Sequence, residues 1–309
     1  MSDVMIAMLA LTLSAGTPLV LAALGELVTE RSGVLNLGVE GMMLVGAVAA
    51  VAGSLAFDSA WAGIAIGALA GGAMASVFVL VALGLRANQV ATGLALTIFG
   101  TGLSAFWGKA YEGASLGALA PRALELGALS GLPLLGPVVF SQNAMVYASL
   151  LAWAAISVFL FRTKAGLALR AIGESPEAAR AIGYRVLGIR AAATVFGGLM
   201  AGLGGAYLSV VYTPTWSEGM VAGRGWIALA LVVFATWRPG RVLLGAWLFG
   251  GVTQAQLQAQ GLGIDLPAEL LSSLPYVATI VVLVLISRNP DLVRLNAPAS
   301  LGRPYGGND

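Results

Sequence analysis

The chain contains no cysteine and no histidine among its 309 residues. The first absence removes disulfides, thiol nucleophiles and thiolate metal sites; the second removes imidazole ligands and the side chain best suited to proton relay near neutral pH. Charge is scarce too, with 10% of residues Asp, Glu, Lys or Arg, against about 25% in a soluble globular domain. No acidic cluster inside an apolar run replaces the missing groups, so the toolkit for catalysis is poor.

What fills the chain instead is hydrocarbon: 59% of residues are hydrophobic and mean hydropathy is +0.91. Apolar runs near 4–28, 34–56, 60–85, 90–107, 144–161, 191–212, 225–236, 242–259 and 272–287 mostly approach the ~20 residues a helix needs to cross ~30 Å of lipid. The expectation is an all-α, polytopic membrane bundle of eight to ten spans, forming a single transmembrane domain over 1–309. MSDV at the start carries Asp3 and no basic residue, unlike the n-region of a cleaved signal peptide, so the first span reads as retained. The net charge of +2 is spread over loops without a basic, aromatic-interleaved stripe, which argues against nucleic acid.

Basic loops favour the cytoplasm. Segment 162–190 holds Arg162, Lys164, Arg170, Arg180, Arg185 and Arg190 against Glu174 and Glu177, which places it inside. The same parity puts Arg238 and Arg241 inside, Asp265 and Glu269 outside, and the tail with Arg288, Arg294 and Arg303 inside, giving a cytoplasmic C-terminus. Segment 109–143, rich in Gly and holding Pro121, Pro133 and Pro137, reads as an external loop with short elements. Small-xxx-small spacings at Gly67/Gly71 and Gly198/Gly202 fit close helix packing in lipid. EGM occurs at 40–42 and again at 218–220, a weak echo of an internal repeat.

Residues 30–46, ERSGVLNLGVEGMMLVG, interrupt the apolar pattern with charge, amide and glycine. Irregular backbone at membrane depth is tolerated only against protein or a water-filled cavity, so a broken helix is expected here, with Asn36 and Glu40 on one face. They read either as a pathway cluster or as a buried polar clamp. Glu26 or Glu30 pairing with Arg31 reads as a structural fixture. Further candidates for a polar pathway are Asn88, Gln89, Thr92 and Thr97, Ser209 and Tyr212, and Thr253, Gln254, Gln256 and Gln258, because polar groups in spans are costly. Phe99, Phe106, Trp107, Trp216 and Trp226 are candidate stacking partners, although aromatic residues also gather at the lipid interface.

From Ser175, SPEAARAIG supplies an N-cap Ser, Pro176 at the first helical position and Glu177 in the first turn, so a short helix should begin there. Ala178, Ala179, Ala181 and Ile182 would form a small-residue face, with Arg180 turned away. Such a helix could dock in a partner's groove or lie on the membrane surface as a connector.

EAARAIG at 177–183 resembles the Glu-Ala-Ala-x-x-x-Gly coupling loop of ABC-importer permeases. ERSGVLNLGVEGMMLVGA at 30–47, NQVATGLAL at 88–96, RAIGESPEAARAIGYRV at 170–186, GRGWIALALVVFATWRPGRVLLGAWLFGG at 223–251 and LPYVATIVVLV at 274–284 resemble the permeases of the branched-chain amino acid, ribose and nucleoside group, the nucleoside type above all. Ile182 and the ATWRP turn depart from the usual family pattern. The resemblance implies the type II importer architecture, in the bacterial cell (inner) membrane. It also implies three partners: a second permease in a heterodimeric core, a cytoplasmic ATPase engaged through Ser175 to Gly183, and a binding lipoprotein or periplasmic protein. No cofactor would reside in this chain; with no GxxxxGK[ST] loop, ATP would be used by the ATPase. The implied cargo is a nucleoside or related purine compound, with a simple sugar or a branched-chain amino acid as alternatives. An ion-coupled carrier would be expected to carry acidic or His relays inside its spans, and a membrane enzyme a clustered set of reactive groups.

Overall fold

The computed structural model describes residues 3–124, 127–133, 135–261, 268–287 and 296–306. Eleven α-helices are present among them: α1 Asp3–Arg31, α2 Val39–Ala56, α3 Ala60–Phe78, α4 Gln89–Gly108, α5 Ala144–Arg162, α6 Lys164–Glu174, α7 Pro176–Ala181, α8 Val186–Ala206, α9 Arg224–Phe234, α10 Pro239–Gly261 and α11 Ala268–Ser287. Wider π-helical turns extend α3 through Val79–Gly84 and α8 through Tyr207–Tyr212. The described residues form no strand, only isolated bridges. Among the described residues, six helices are long and apolar enough to cross a membrane: Met5–Arg31, Val39–Ala56, Ala60–Gly84, Gln89–Tyr111, Ala144–Arg162 and Val186–Tyr212. The fold is therefore a polytopic helical bundle.

Side-chain caps set several helix starts. Asn88 accepts from Ala91 N at 2.9 Å, Asn143 from Met145 N at 3.0 Å, and Thr163 from Gly166 N at 3.0 Å, each satisfying a donor that the first turn leaves open. α2 is the central helix and is buried over most of its length. It packs on α3, α8 and α4, while α8 also lies along α1 and α10 covers the other side of α1.

Glycine makes these approaches possible. A Cβ on Gly71 would fall 2.7 Å from Gly202 Cα, and one on Gly46 2.6 Å from the same atom. The Gly67/Gly71 and Gly198/Gly202 pairs face one another, so the two small-xxx-small motifs form one seam between α3 and α8, as close packing in lipid requires.

Among the described residues, the runs expected at 225–236, 242–259 and 272–287 are not among the six helices long and apolar enough to cross, and two runs depart from a plain full-length helix. Residues 34–38 are not helical; the chain leaves α1 at Arg31, crosses a turn and starts α2 at Val39. The run at 225–236 yields only the 11-residue α9, which rises about 16 Å, half the hydrocarbon thickness. Segment 109–143 contains short turns at Lys109–Tyr111, Gly127–Gly131 and Gly136–Phe140, and it is tied to the chain after α8 by the Leu116 N to Pro214 O hydrogen bond of 2.9 Å. Of the charges used for topology, Asp265, Arg288 and Arg294 lie outside the described residues.

Candidate functional site

The turn after α1 is built from backbone donors and buried side-chain acceptors. Asn36 is fully buried; its Oδ1 accepts from Gly38 N at 2.9 Å, and its own N–H donates to Glu26 Oε1 at 3.3 Å. Gln89 Oε1 accepts from Leu35 N at 2.9 Å, and Thr97 Oγ1 donates to Leu37 O at 2.9 Å. Three sequence candidates, Asn36, Gln89 and Thr97, thus converge with Glu26 around residues 32–40, where they satisfy an irregular chain that lipid could not.

Glu40 reaches the far side of this junction. Its Oε1 accepts from Gly223 N at 2.8 Å and its Oε2 from Gly225 N at 2.6 Å, so the carboxylate caps the first turn of α9, where open N–H groups and the helix dipole favour an anion. A Cβ on Gly225 would lie 2.6 Å from Glu40 N; only glycine lets the two backbones meet. From this point α2 runs toward Met43 and Ala47, which face Gly205 of α8, while α9 runs the opposite way to Trp237. The start of the full-length α2 and the start of the short α9 therefore meet at one junction.

Glu30 and Arg31 act at the other end of α9, and the expected Glu–Arg31 pairing is not what holds them. Arg31 donates through Nη2 at 2.7 Å and Nε at 3.2 Å to Trp237 O, and through Nη1 at 3.1 Å to Asn296 O. Glu30 Oε2 accepts the Trp237 indole N–H. Thr236 and Trp237 adopt φ of 48° and 52°, a conformation uncommon for such residues, and this double grip holds the turn.

The remaining candidates are dispersed. Thr92 Oγ1 donates back to Asn88 O at 2.8 Å, and Ser209 Oγ to Ala47 O at 2.8 Å. Gln254 and Gln258 lie one turn apart on α10, away from the junction; Gln254 Oε1 is buried without a partner. Trp216 is buried against Gly108, whereas Phe99, Phe106, Trp107 and Trp226 are exposed on the outer surface. Glu40 stands in the first turn of α2 but Glu218 lies on an exposed stretch before α9, so the EGM echo is not in structural register.

The loop between α5 and α8 forms two helices, α6 and α7. Ser175 Oγ accepts from Ala178 N at 3.3 Å, with Pro176 at the first position. Gly183, at φ 95°, ends α7, and Tyr184 N donates to Ala179 O at 3.1 Å, the glycine-terminated closure expected of a helix C-terminus. The small-residue face divides: Ala179 is buried with Ile172, Val186 and Tyr305, while Glu177, Ala178, Arg180, Ala181 and Ile182 are exposed.

Sequence reasoning missed what holds this loop. Arg190 is fully buried; Nε donates to Ser32 O at 3.0 Å and Nη2 to Ser300 Oγ at 2.8 Å. Ser300 Oγ in turn donates to Gly173 O at 2.7 Å, and Ser300 N to the same carbonyl at 3.0 Å. The carboxy-terminal segment thus straps the end of α1 to the end of α6. The one signal in the sequence was the position of Arg190, directly beside the apolar run at 191–212.

The profile of the family described as "Branched-chain amino acid transport system / permease component" matches residues 8–286. A putative glucose ABC transporter permease protein of Haloferax volcanii is 40% identical over 95% of both chains. A nucleoside ABC transporter permease protein of Lactococcus lactis is 32% identical over 87% of this chain and 88% of its own. A guanosine ABC transporter permease protein of Bacillus subtilis is 31% identical over 95% of this chain and 94% of its own. No solved structure matches the chain.

Proposed function

The chain belongs to the branched-chain amino acid transport system permease family, and we propose that, as an ABC importer's permease subunit, it conducts nucleosides or related purine compounds. It is a transport component and not an enzyme, and its family works with an ATPase and a substrate-binding protein. In this reading a second, non-identical permease completes the core, the C-terminus is cytoplasmic, and the exposed side of α7 from Glu177 to Gly183 seats in the ATPase.

The observation that supports a neutral cargo is that most of the enclosed charges are already engaged. Glu40 is held by Gly223 and Gly225, Arg190 by Ser32 and Ser300, and the half-buried Arg224 by the carbonyls of Met220 and Val221 at 3.1 and 3.0 Å. Among the described residues this leaves Glu26 Oε2, Arg170 Nε and Arg190 Nη1 as the buried atoms of charged groups without a partner. A zwitterionic amino acid would call for a free carboxylate and a free cationic partner, whereas a nucleoside needs neutral hydrogen bonds and apolar contact. Asn36 and Glu40 then serve as the clamp that shapes the path, and Asn88, Thr92 and Gln258, less enclosed, are the better candidates for contact.

A simple sugar is the second reading, favoured by the 40% identity to the glucose-type relative. Proteoliposomes holding the permease pair, the ATPase and the binding protein distinguish the two. ATP-dependent uptake of labelled guanosine that excess glucose leaves unchanged supports the nucleoside reading. Uptake of glucose alone replaces it with the second.

A further inference from the structure

At the end of the bundle where α1, α6 and the α9–α10 turn meet, a cavity of about 540 Å³ is lined by Arg31, Phe161, Arg170, Glu174, Arg238 and Asn296. Three guanidinium groups and one carboxylate therefore share a single space. Arg31 is anchored by neutral carbonyls, those of Trp237 and Asn296, so its hydrogen bonds bring no compensating charge. Its electrostatic neighbours are Arg170 and Arg238, both repulsive, and Glu174, attractive. Arg170 lies with its guanidinium carbon 5.0 Å from the Phe161 ring centroid, and its Nε is buried without a hydrogen-bond partner.

Like charges are not gathered around a cavity without cost, and a guanidinium presents a planar fork of donors matched to phosphate oxygens. We propose that this cavity is a binding site for a phosphate-bearing anion, independent of the transported cargo. Arg31 forms the fixed wall, because its three hydrogen bonds hold it in place. Arg170 and the exposed Arg238 close on the phosphate, and the Phe161 ring beneath Arg170 orients its planar guanidinium. The ligand chemistry is shared by an anionic phospholipid headgroup and by a soluble phosphate compound. Basic pockets between membrane helices are recognition sites for anionic headgroups. Occupancy would bind the end of α1 to α6, and so reach the helix that leads into α7.

The test uses the purified full-length permease in two arms. In the lipid arm it is placed in phosphatidylcholine nanodiscs with or without phosphatidylglycerol, and lipid retained after extraction is counted by native mass spectrometry. In the soluble arm inorganic phosphate is titrated against the protein in zwitterionic detergent, with thermal unfolding as the readout. Retention of phosphatidylglycerol identifies a headgroup site; saturable stabilisation by phosphate alone identifies a soluble ligand; either supports the proposal. Arg170→Gln and Arg238→Gln should each weaken binding about tenfold, the loss of one charge-assisted hydrogen bond. Should those variants fail to fold, Glu174→Gln decides, because removing the one carboxylate must strengthen binding several-fold. Binding absent from both arms, or unmoved by these substitutions, overturns the assignment.

Discussion

Glu40 Oε2 accepts the backbone N–H of Gly225 at 2.6 Å, joining residues 185 positions apart in the chain. With the companion bond to Gly223 it turns the start of α2 into the cap of α9. Glu40→Gln keeps one acceptor and replaces the other with a donor facing a backbone N–H. A loss of roughly 1–3 kcal/mol is expected from the orphaned group, visible as a lower midpoint in thermal unfolding of the purified permease. Gly225→Ala should be at least as damaging, since its Cβ has no room beside Glu40 N; an unchanged midpoint in both variants would mean that the cap does not stabilise the junction.

The α3–α8 seam makes a separate prediction. Gly71→Leu and Gly202→Leu each drive a branched side chain into opposing backbone, and no rotamer relieves a clash at Cβ. Both should lower the yield of folded protein by several-fold on size exclusion, whereas Gly102→Leu, on a position with nothing within 4 Å, should not.

In the α5–α8 loop the exposed and buried members of α7 should behave differently. Ile182→Asp alters a side chain that is 74% exposed and should leave the permease folded while weakening its co-purification with the ATPase by about tenfold, the scale of truncating one apolar anchor at an interface. Ala179→Trp should unfold the loop instead, because Ala179 is packed among Ile172, Val186 and Tyr305. Gly183→Trp is a poor probe, since φ of 95° strains any side chain there. Normal ATPase binding by Ile182→Asp would return α7 to the role of a connector.

The strap across Arg190 can be loosened from either side. Arg190→Met leaves Ser32 O and Ser300 Oγ without a donor, and a cost of about 2–4 kcal/mol follows from unsatisfied buried groups. Ser300→Ala should cost less, about 1 kcal/mol. Limited proteolysis between α6 and α8 reports the result: faster cleavage in both variants, with Arg190→Met the faster, is expected.

Much of the bundle was legible because a span of lipid imposes its own length on apolar sequence. The irregular stretch at 30–46 was legible too, since glycine and amide groups cannot sit in hydrocarbon as a plain helix. Its geometry was not. Asn36 and Glu40 do share a locality, but Asn36 precedes the helix whose first turn holds Glu40, so helical spacing had no hold on the pair. The partners of Glu40, Arg31 and Arg190 come from distant parts of the chain, and no local pattern encodes a contact of that separation. The half-length of α9 was hidden for a related reason: residues 225–236 are as apolar as a span, and only tertiary contacts to Glu40 at one end and Glu30 at the other fix how far it extends.

The shortness of α9 bears on how the protein is made. A segment rising about 16 Å cannot cross ~30 Å of hydrocarbon unaided, and its first backbone donors would enter lipid unsatisfied. Glu40 emerges from the ribosome 183 residues before Gly223. The two acceptors that meet its ends, Glu40 at Gly223 and Glu30 at the Trp237 indole, therefore lie in a part of the chain that is synthesised long before α9 itself.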